Sequence, residues 1–273
     1  MRIAFQGEPG AYSEAAVLEH FGEDAMPVPC ESFDDIFSAV TSETCEYGMI
    51  PIENSLAGSI HRNYDLLLKN NLSVVGEHYL YVNHNLIAMP GAQLSEIKRV
   101  ISHPQALAQC EGYLHSLKGV KIESVYDTAG SVKMVRQMGD MTVAAVASRR
   151  AADLYGMQIL AELIQDNPEN LTRFLVISPR PGEPGPDAKT SIVFSLKNLP
   201  GSLFKAMSVF ALRDIDLTKI ESRPLVGKPF EYFFYIDFAG SILDPVEAKA
   251  LAQLGEYAIF LRVFGSYPRH RYG

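Results

Sequence analysis

Apolar and polar positions change period several times along the chain. Arg2–Phe5 is a short apolar run that ends in the glycine-rich turn Gln6–Gly10. Ala15, Ala16, Leu18 and Phe21 then recur at helical spacing, which predicts a helix from near Ser13. Ser32 followed by Asp35 reads as an N-cap with an acidic third position, opening a helix to Val40. Tyr47–Ile52 is an apolar strand running into Glu53-Asn54-Ser55, and 59–68 is an amphipathic helix. Ser73–Met89 reads as one long strand-like stretch.

The alternation then repeats. Arg99–Ser102 is a strand, and Pro104 suits the first turn of a helix to Leu117. Val120–Tyr126 alternates, Thr128 is placed to cap a helix to Met138, and Thr142–Ala147 is a strand followed by Ser148 and a helix to Tyr155. Strands interleaved with helices predict parallel sheets covered by helices. Two such sets joined by a long strand predict two lobes around a cleft, with Gln158–Ile164 and Leu175–Ile177 as buried strands. Between these two lies a polar island, Asp166–Phe174. Its Asn, Thr and Arg are costly near a buried strand unless satisfied, either by local backbone bonds or by a ligand.

The segment 180–187 is dense in Pro and Gly, so neither helix nor strand is expected there. The C-terminal part reads strand (Thr190–Leu196), helix (Gly201–Leu212), strand (Ile215–Ser222), strand (Phe230–Phe238), helix (Pro245–Leu254), strand (Ala258–Ser266). That is the ferredoxin-like βαββαβ order. The expected domains are 1–180, with lobe one about 1–76 plus 166–180 and lobe two about 77–165, then a linker 181–189 and a domain 190–273.

A net charge of -8 over 273 residues argues against a nucleic-acid partner, which would call for a basic face. The apolar runs fall short of a membrane span. The N-terminal run enters a strand pattern without a signal peptide, and Cys30, Cys45 and Cys110 form no metal or redox motif, so a reducing cytoplasm is expected. Four polar clusters sit at predicted strand ends: Gln6-Gly7 to Tyr12-Ser13, Glu53-Asn54-Ser55, Ser102–Gln105 and Asp127-Thr128. In α/β sheets the carboxyl ends of strands face the ligand crevice, and helix N-termini there suit an anion. The same Ser, Thr and Asn residues are also ordinary N-caps. No hydrolase elbow or phosphate-binding lysine loop is present. Gly7 and Gly10 lack the third glycine of a dinucleotide fingerprint, since Ser13 stands in its place.

In order along almost the whole chain, Gln6-Gly7 through Gly10-Ala11-Tyr12-Ser13, Pro51–Ser55 with Gly58, Ser102–Gln105, Asp127–Gly130, and Asn170 with Thr172-Arg173-Phe174 resemble the prephenate dehydratase family, including its arogenate-using members. The resemblance implies a two-lobed, periplasmic-binding-protein-like catalytic domain that converts prephenate to phenylpyruvate, water and CO2 without cofactor or metal. It implies that Thr172, Arg173 and Phe174 are catalytic, with Ser13, Asn54, Ser55, Gln105, Thr128 and Asn170 on the substrate. The C-terminal part resembles an ACT regulatory domain. Its phenylalanine site would comprise Glu221, Ser222, Arg223 and Pro224, with Pro200, Gly201, Ser202 and Leu203 departing from the family's Gly-Ala-Leu pattern by a serine. Such domains bind phenylalanine as pairs, so a homodimer or a dimer-of-dimers tetramer is expected. The departing hydroxide needs proton assistance. The ring carboxylate, which loses its charge, is expected in an apolar setting, and an arginine on the carboxylate that survives. The competing readings are arogenate dehydratase and a non-catalytic amino-acid-sensing binding protein.

Overall fold

The computed structural model describes every residue except Glu23, Val226, Tyr272 and Gly273. The N-terminal elements are β1 (Arg2–Gln6), α1 (Tyr12–Phe21), β2 (Met26–Cys30), α2 (Phe33–Thr41), β3 (Tyr47–Asn54), β4 (Gly58–Ser59), α3 (His61–Lys69) and β5 (Ser73–Tyr81). Next come β6 (Asn85–Ala88), β7 (Arg99–Ser102), α4 (Pro104–Ala108), α5 (Glu111–Ser116), β8 (Lys121–Ser124), α6 (Thr128–Met138), β9 (Val143–Ala147), α7 (Arg149–Tyr155), β10 (Gln158–Ala161) and β11 (Leu171–Ser178). The last elements are β12 (Ala188–Leu196), α8 (Ser202–Ala211), β13 (Leu217–Pro224), β14 (Tyr232–Ala239), α9 (Pro245–Tyr257) and β15 (Ala258–Pro268).

These strands make three sheets, ordered β2-β1-β3-β11-β5 with β4 on β3, β10-β6-β9-β7-β8, and β13-β14-β12-β15. The first two are mixed rather than parallel. β1 pairs in parallel with β2 and β3 while β4 runs antiparallel to β3, and β7 pairs in parallel with β8 and β9 while β6 runs antiparallel to both β9 and β10. The third sheet is antiparallel throughout and carries the ferredoxin-like order. Compactness divides the chain into Met1–Leu68 with His78–Phe174, and Lys69–Glu77 with Leu175–Gly273. No described helix is long and apolar enough to cross a membrane.

Local signals in the sequence reappear as caps. Ser32 and Asp35 form a reciprocal capping box on α2. Ser148 accepts from the Ala151 amide at the start of α7. At α6 the cap is Asp127, which accepts from the Gly130 amide, and Thr128 is the first helical residue instead of the cap. An aspartate carboxylate is the stronger acceptor for free helix amides, and it occupies the position one residue earlier.

Two predicted elements are broken. The stretch Ser73–Met89 is two strands separated by Val82, Asn83 and His84. The predicted helix to Leu117 is interrupted at Gln109-Cys110. There the Gln109 carbonyl accepts from the Asp166 amide, and the Asp166 carboxylate accepts from the Gly112 amide, so Asp166 takes over bonds that a continuous helix would make internally. Both interruptions deliver side chains, His84 and Gln109, to one cavity.

The turn after β1 is held by the second lobe. Gly10 O accepts from Ser148 Oγ at 2.8 Å, Pro9 O from the Tyr155 hydroxyl at 3.0 Å, and Glu8 pairs with Lys133 at 2.9 Å. Gly10 has φ +94, and a Cβ on it would lie 2.9 Å from Ala151 Cα. This approach between α7 and the turn therefore requires glycine.

Candidate active site

A cavity of about 170 Å³ lies between the two α/β sheets and is lined by fourteen side chains, a size suited to a small metabolite. Each of the four polar clusters at strand ends contributes to it. Ser13 comes from the first turn of α1, Asn54 from the end of β3, His103 and Gln105 from the start of α4, and Thr128 from the start of α6. Thr172 and Phe174 enter from β11, Tyr12 from α1, His84 from the break between β5 and β6, and Gln109 from the break between α4 and α5.

The polar island is a strand from Leu171 onward. Side chains alternate across a strand, so Thr172 and Phe174 share the cavity face while Arg173 points the other way. Arg173 is buried, pairs with Glu53 at 3.4 Å and lies 5.9 Å from the centre of the Tyr79 ring. The expected arginine on a substrate carboxylate is thus not found: among the described residues no Arg, Lys, Asp or Glu lines the cavity. Asn170 and Ser55 also stand behind the wall. Ser55 Oγ donates to Glu169 O at 2.8 Å and accepts from the Leu171 amide at 2.9 Å, which fixes the entry of β11.

One hydrogen-bonded chain joins these elements. The Leu56 and Ala57 amides donate to Asn54 Oδ1 at 3.0 and 2.9 Å. Asn54 Nδ2 donates to Asn170 Oδ1 at 2.7 Å and to Thr172 Oγ1 at 2.9 Å. Asn170 Nδ2 donates to Gln109 Oε1 at 3.0 Å, and His84 Nε2 lies 2.9 Å from the same oxygen. His84 Nδ1 is 2.9 Å from the Tyr12 hydroxyl, which also lies 2.7 Å from Asn83 O. Asn54 and Asn170 are almost fully buried, so these bonds offset their desolvation.

The cavity lining holds no carboxylate, lysine or arginine among the described residues. Burial lowers the pKa of His84, with the Gln109 bond opposing, and burial holds the Tyr12 phenol well above its ordinary value. The Cys110 thiol behind it is pushed up to about 12, mainly by burial. Among the described residues no group of three or more His, Cys, Asp and Glu is arranged to hold a metal ion.

Four polar or aromatic hydrogen-bonding residues of the lining, Tyr12, His84, His103 and Gln109, go beyond the candidates that the sequence suggests. Tyr12 and His103 lie inside the family motifs, whereas His84 and Gln109 lie outside them. The signals for the last two are weak: a polar pair, Asn83-His84, interrupting an apolar stretch, and Gln109 four residues after Gln105, one helical turn away. None of the allosteric candidates is among the residues that line the cavity. Pro200–Leu203 form the entry to α8, where Gly201 is the N-cap with φ 78, and Glu221–Pro224 end β13.

The family model for prephenate dehydratase matches residues 3–182. A curated relative from Arabidopsis thaliana, arogenate dehydratase/prephenate dehydratase 2, chloroplastic, is 51% identical over 98% of this chain and 73% of its own length. Among solved structures, GqqA, described as a novel type of quorum quenching acylase, superposes with TM-score 0.92 at 37% identity, covering 99% of this chain and 98% of its own. Prephenate dehydratase of Arthrobacter aurescens in complex with L-Phe gives TM-score 0.90 at 32% identity, covering 98% of this chain and 90% of its own.

Proposed function

Because this chain belongs to the prephenate dehydratase family, we propose that its cavity performs the decarboxylating dehydration of prephenate to phenylpyruvate, water and CO2. The observation that carries the reading is the Thr172 hydroxyl. It accepts from Asn54 and donates to no described residue, so its proton is available to a ligand on the cavity side. Thr172 holds the departing hydroxyl, and Phe174 packs beside the ring and excludes water. Ser13 and Thr128, on the first turns of α1 and α6, offer hydroxyls together with helix N-termini to the carboxylate that survives. Ser13, Asn54, Gln105, Gln109 and Thr128 bind substrate in this reading; Ser55, Asn170 and Arg173 brace the wall. The lining, with no lysine or arginine among the described residues, suits the carboxylate that leaves as CO2, because a fixed cation there would stabilise the ground state more than the transition state. Formation of the aromatic ring supplies the driving force, and the chemistry calls for no cofactor.

The Arabidopsis relative's double name favours a second substrate, arogenate, which carries an ammonium where prephenate carries a ketone. A single assay separates the readings. Purified protein is expected to release phenylpyruvate from prephenate; formation of phenylalanine from arogenate at a higher kcat/KM would assign the enzyme to arogenate, and binding without product from either would leave an amino-acid sensor. The likeness to an acylase adds no competing nucleophile: Tyr12 is the one lining hydroxyl hydrogen-bonded to a histidine among the described residues.

Residues 190–273 form the regulatory domain in this proposal, after the linker 181–189. The Arthrobacter relative was solved in complex with L-Phe, which supports phenylalanine as the ligand; in this proposal it binds at Pro200–Leu203 and Glu221–Pro224 between paired domains of a homodimer or of a dimer-of-dimers tetramer. Leu199, Leu203 and Phe204 are exposed, which suits pairing. Phenylalanine inhibits only if its bound arrangement disfavours the competent cleft. Glu221→Ala is expected to weaken inhibition by roughly 10- to 100-fold, the equivalent of one charge-assisted hydrogen bond, without changing kcat in the absence of phenylalanine. A monomer insensitive to phenylalanine would refute the regulatory part alone. The three cysteines are free, which suits a reducing compartment, either the proposed cytoplasm or the chloroplast named for the Arabidopsis relative.

A further inference from the structure

We propose that His84 stores the proton consumed in each turnover and passes it through the Tyr12 hydroxyl to the departing hydroxide. The inference rests on the dehydratase reading and on the direction of the hydrogen-bonded chain. Backbone amides can only donate, so Leu56 and Ala57 fix Asn54 Oδ1 as the acceptor. Asn54 Nδ2 must then donate to Asn170 Oδ1, and Asn170 Nδ2 to Gln109 Oε1. Gln109 presents its oxygen to His84, so His84 Nε2 carries a hydrogen. The tautomer is set by amides at the far end of the site.

At the other ring nitrogen the Tyr12 hydroxyl has one proton and two neighbours, Asn83 O at 2.7 Å and His84 Nδ1 at 2.9 Å. With neutral His84 both neighbours are acceptors, and one goes unmet. With a proton on Nδ1, that N–H donates to the Tyr12 oxygen and Tyr12 donates onward, so every group is satisfied. Burial disfavours the imidazolium while the cavity is empty. A dianionic substrate in a cavity lined by no lysine or arginine among the described residues reverses that preference and draws a proton onto His84. The groups bonded to it are Tyr12 from α1, Gln109 between α4 and α5, and Gln165 after β10; beyond them Cys110 acts on Tyr12, Asp166 bonds Gln109, and His103 lines the same cavity.

The step balances. The carbon–oxygen bond breaks with its electron pair on oxygen, and the pair of the bond to the carboxylate enters the ring as CO2 leaves. Tyr12 turns its hydrogen from Asn83 O to the hydroxide, gives it up to make water and recovers one from Nδ1. His84 ends neutral, with its Nε2 hydrogen still on Gln109, and takes its next proton from solvent. Both His84 nitrogens are engaged, so His84 is a positioning residue that acts through Tyr12.

The test uses full-length protein. Prephenate binding to the Thr172→Ala variant, followed by calorimetry in buffers of different ionisation enthalpy near neutral pH, is expected to show uptake approaching one proton. His84→Gln, which keeps a donor for Gln109 but holds no proton, is expected to lower kcat roughly 10²-fold with little change in KM and to remove the alkaline limb of the kcat profile. Tyr12→Phe should lower kcat comparably. Buffer-independent binding heat, or a folded His84→Gln enzyme with the wild-type kcat and pH profile, would overturn the proposal. The calorimetry reads His84 intact, so it decides even if the His84 variant does not fold. Wild-type release of phenylpyruvate from prephenate reports separately on the dehydratase reading.

Discussion

Thr172→Ala is expected to lower kcat for prephenate by roughly 10²- to 10⁴-fold, the span of acid–base assistance that fails when the departing hydroxyl is no longer held in place to receive its proton, while the protein stays folded. The loss is large because the Thr172 hydroxyl is aimed. Asn54 Nδ2 donates to its oxygen at 2.9 Å, which leaves the hydroxyl proton toward the cavity. The fold tolerates the change because Asn54 Nδ2 keeps its 2.7 Å bond to Asn170 and its contact with Leu171 O. The stability change is therefore expected within about 1 kcal/mol, the net size of one hydrogen bond. Thr172→Ser, which retains the hydroxyl, should keep much of the activity. Phenylpyruvate absorbance and a thermal melt measure both quantities. Alanine turnover near wild type would remove Thr172 from the mechanism, and a collapsed melt would make it structural.

Lys189→Ala carries the largest stability penalty we expect, about 3–5 kcal/mol, typical of removing one partner from a buried ion pair. Lys189 Nζ lies 2.7 and 2.8 Å from the two Glu77 oxygens, and the two side chains are 4% and 0% exposed. Strand β12 is buried along its whole length between β14 and β15, so water has little access to the abandoned carboxylate. Glu77 Oε1 also accepts from the His270 amide, a bond too weak to replace an ammonium. Replacing both partners, Lys189→Met with Glu77→Leu, should recover most of the loss, since no charge is then left buried. Denaturant midpoints of the single and double variants test this. A single variant within about 1 kcal/mol of wild type would mean that solvent or another cation reaches Glu77. Because both residues lie outside the unit that carries the cavity, kcat of folded protein is expected to hold.

Several features were legible because they are written over a few neighbouring residues. The Ser32–Asp35 capping box, the βαββαβ order and the four polar strand ends all follow from local pattern and chain order. The motifs also carried the family and hence the reaction. Other features depend on residues that meet only in the fold. Asn54 reaches Thr172 across 118 positions, Tyr12 reaches His84 across 72, and His84 reaches Gln109 across 25. No periodicity reports such pairings. Asp166 breaks a helix whose own sequence reads as continuous, and that break points Gln109 into the cavity.

By itself the sequence determined most of the elements, their order, and which chemistry-bearing residues sit at strand ends, because side-chain period and capping act within one or two turns of chain; where a strand or helix breaks was left to the fold. The tertiary structure alone decided which face each of them shows. Thr172 and Phe174 meet the cavity while Arg173, between them, pairs with Glu53 behind it, because a strand turns successive side chains to opposite sides and the neighbouring β3 fixes which side is lined. The same packing brought His84 to Tyr12 and Gln109, where burial and the direction of the hydrogen bonds, neither visible in the order of residues, set the state of its ring.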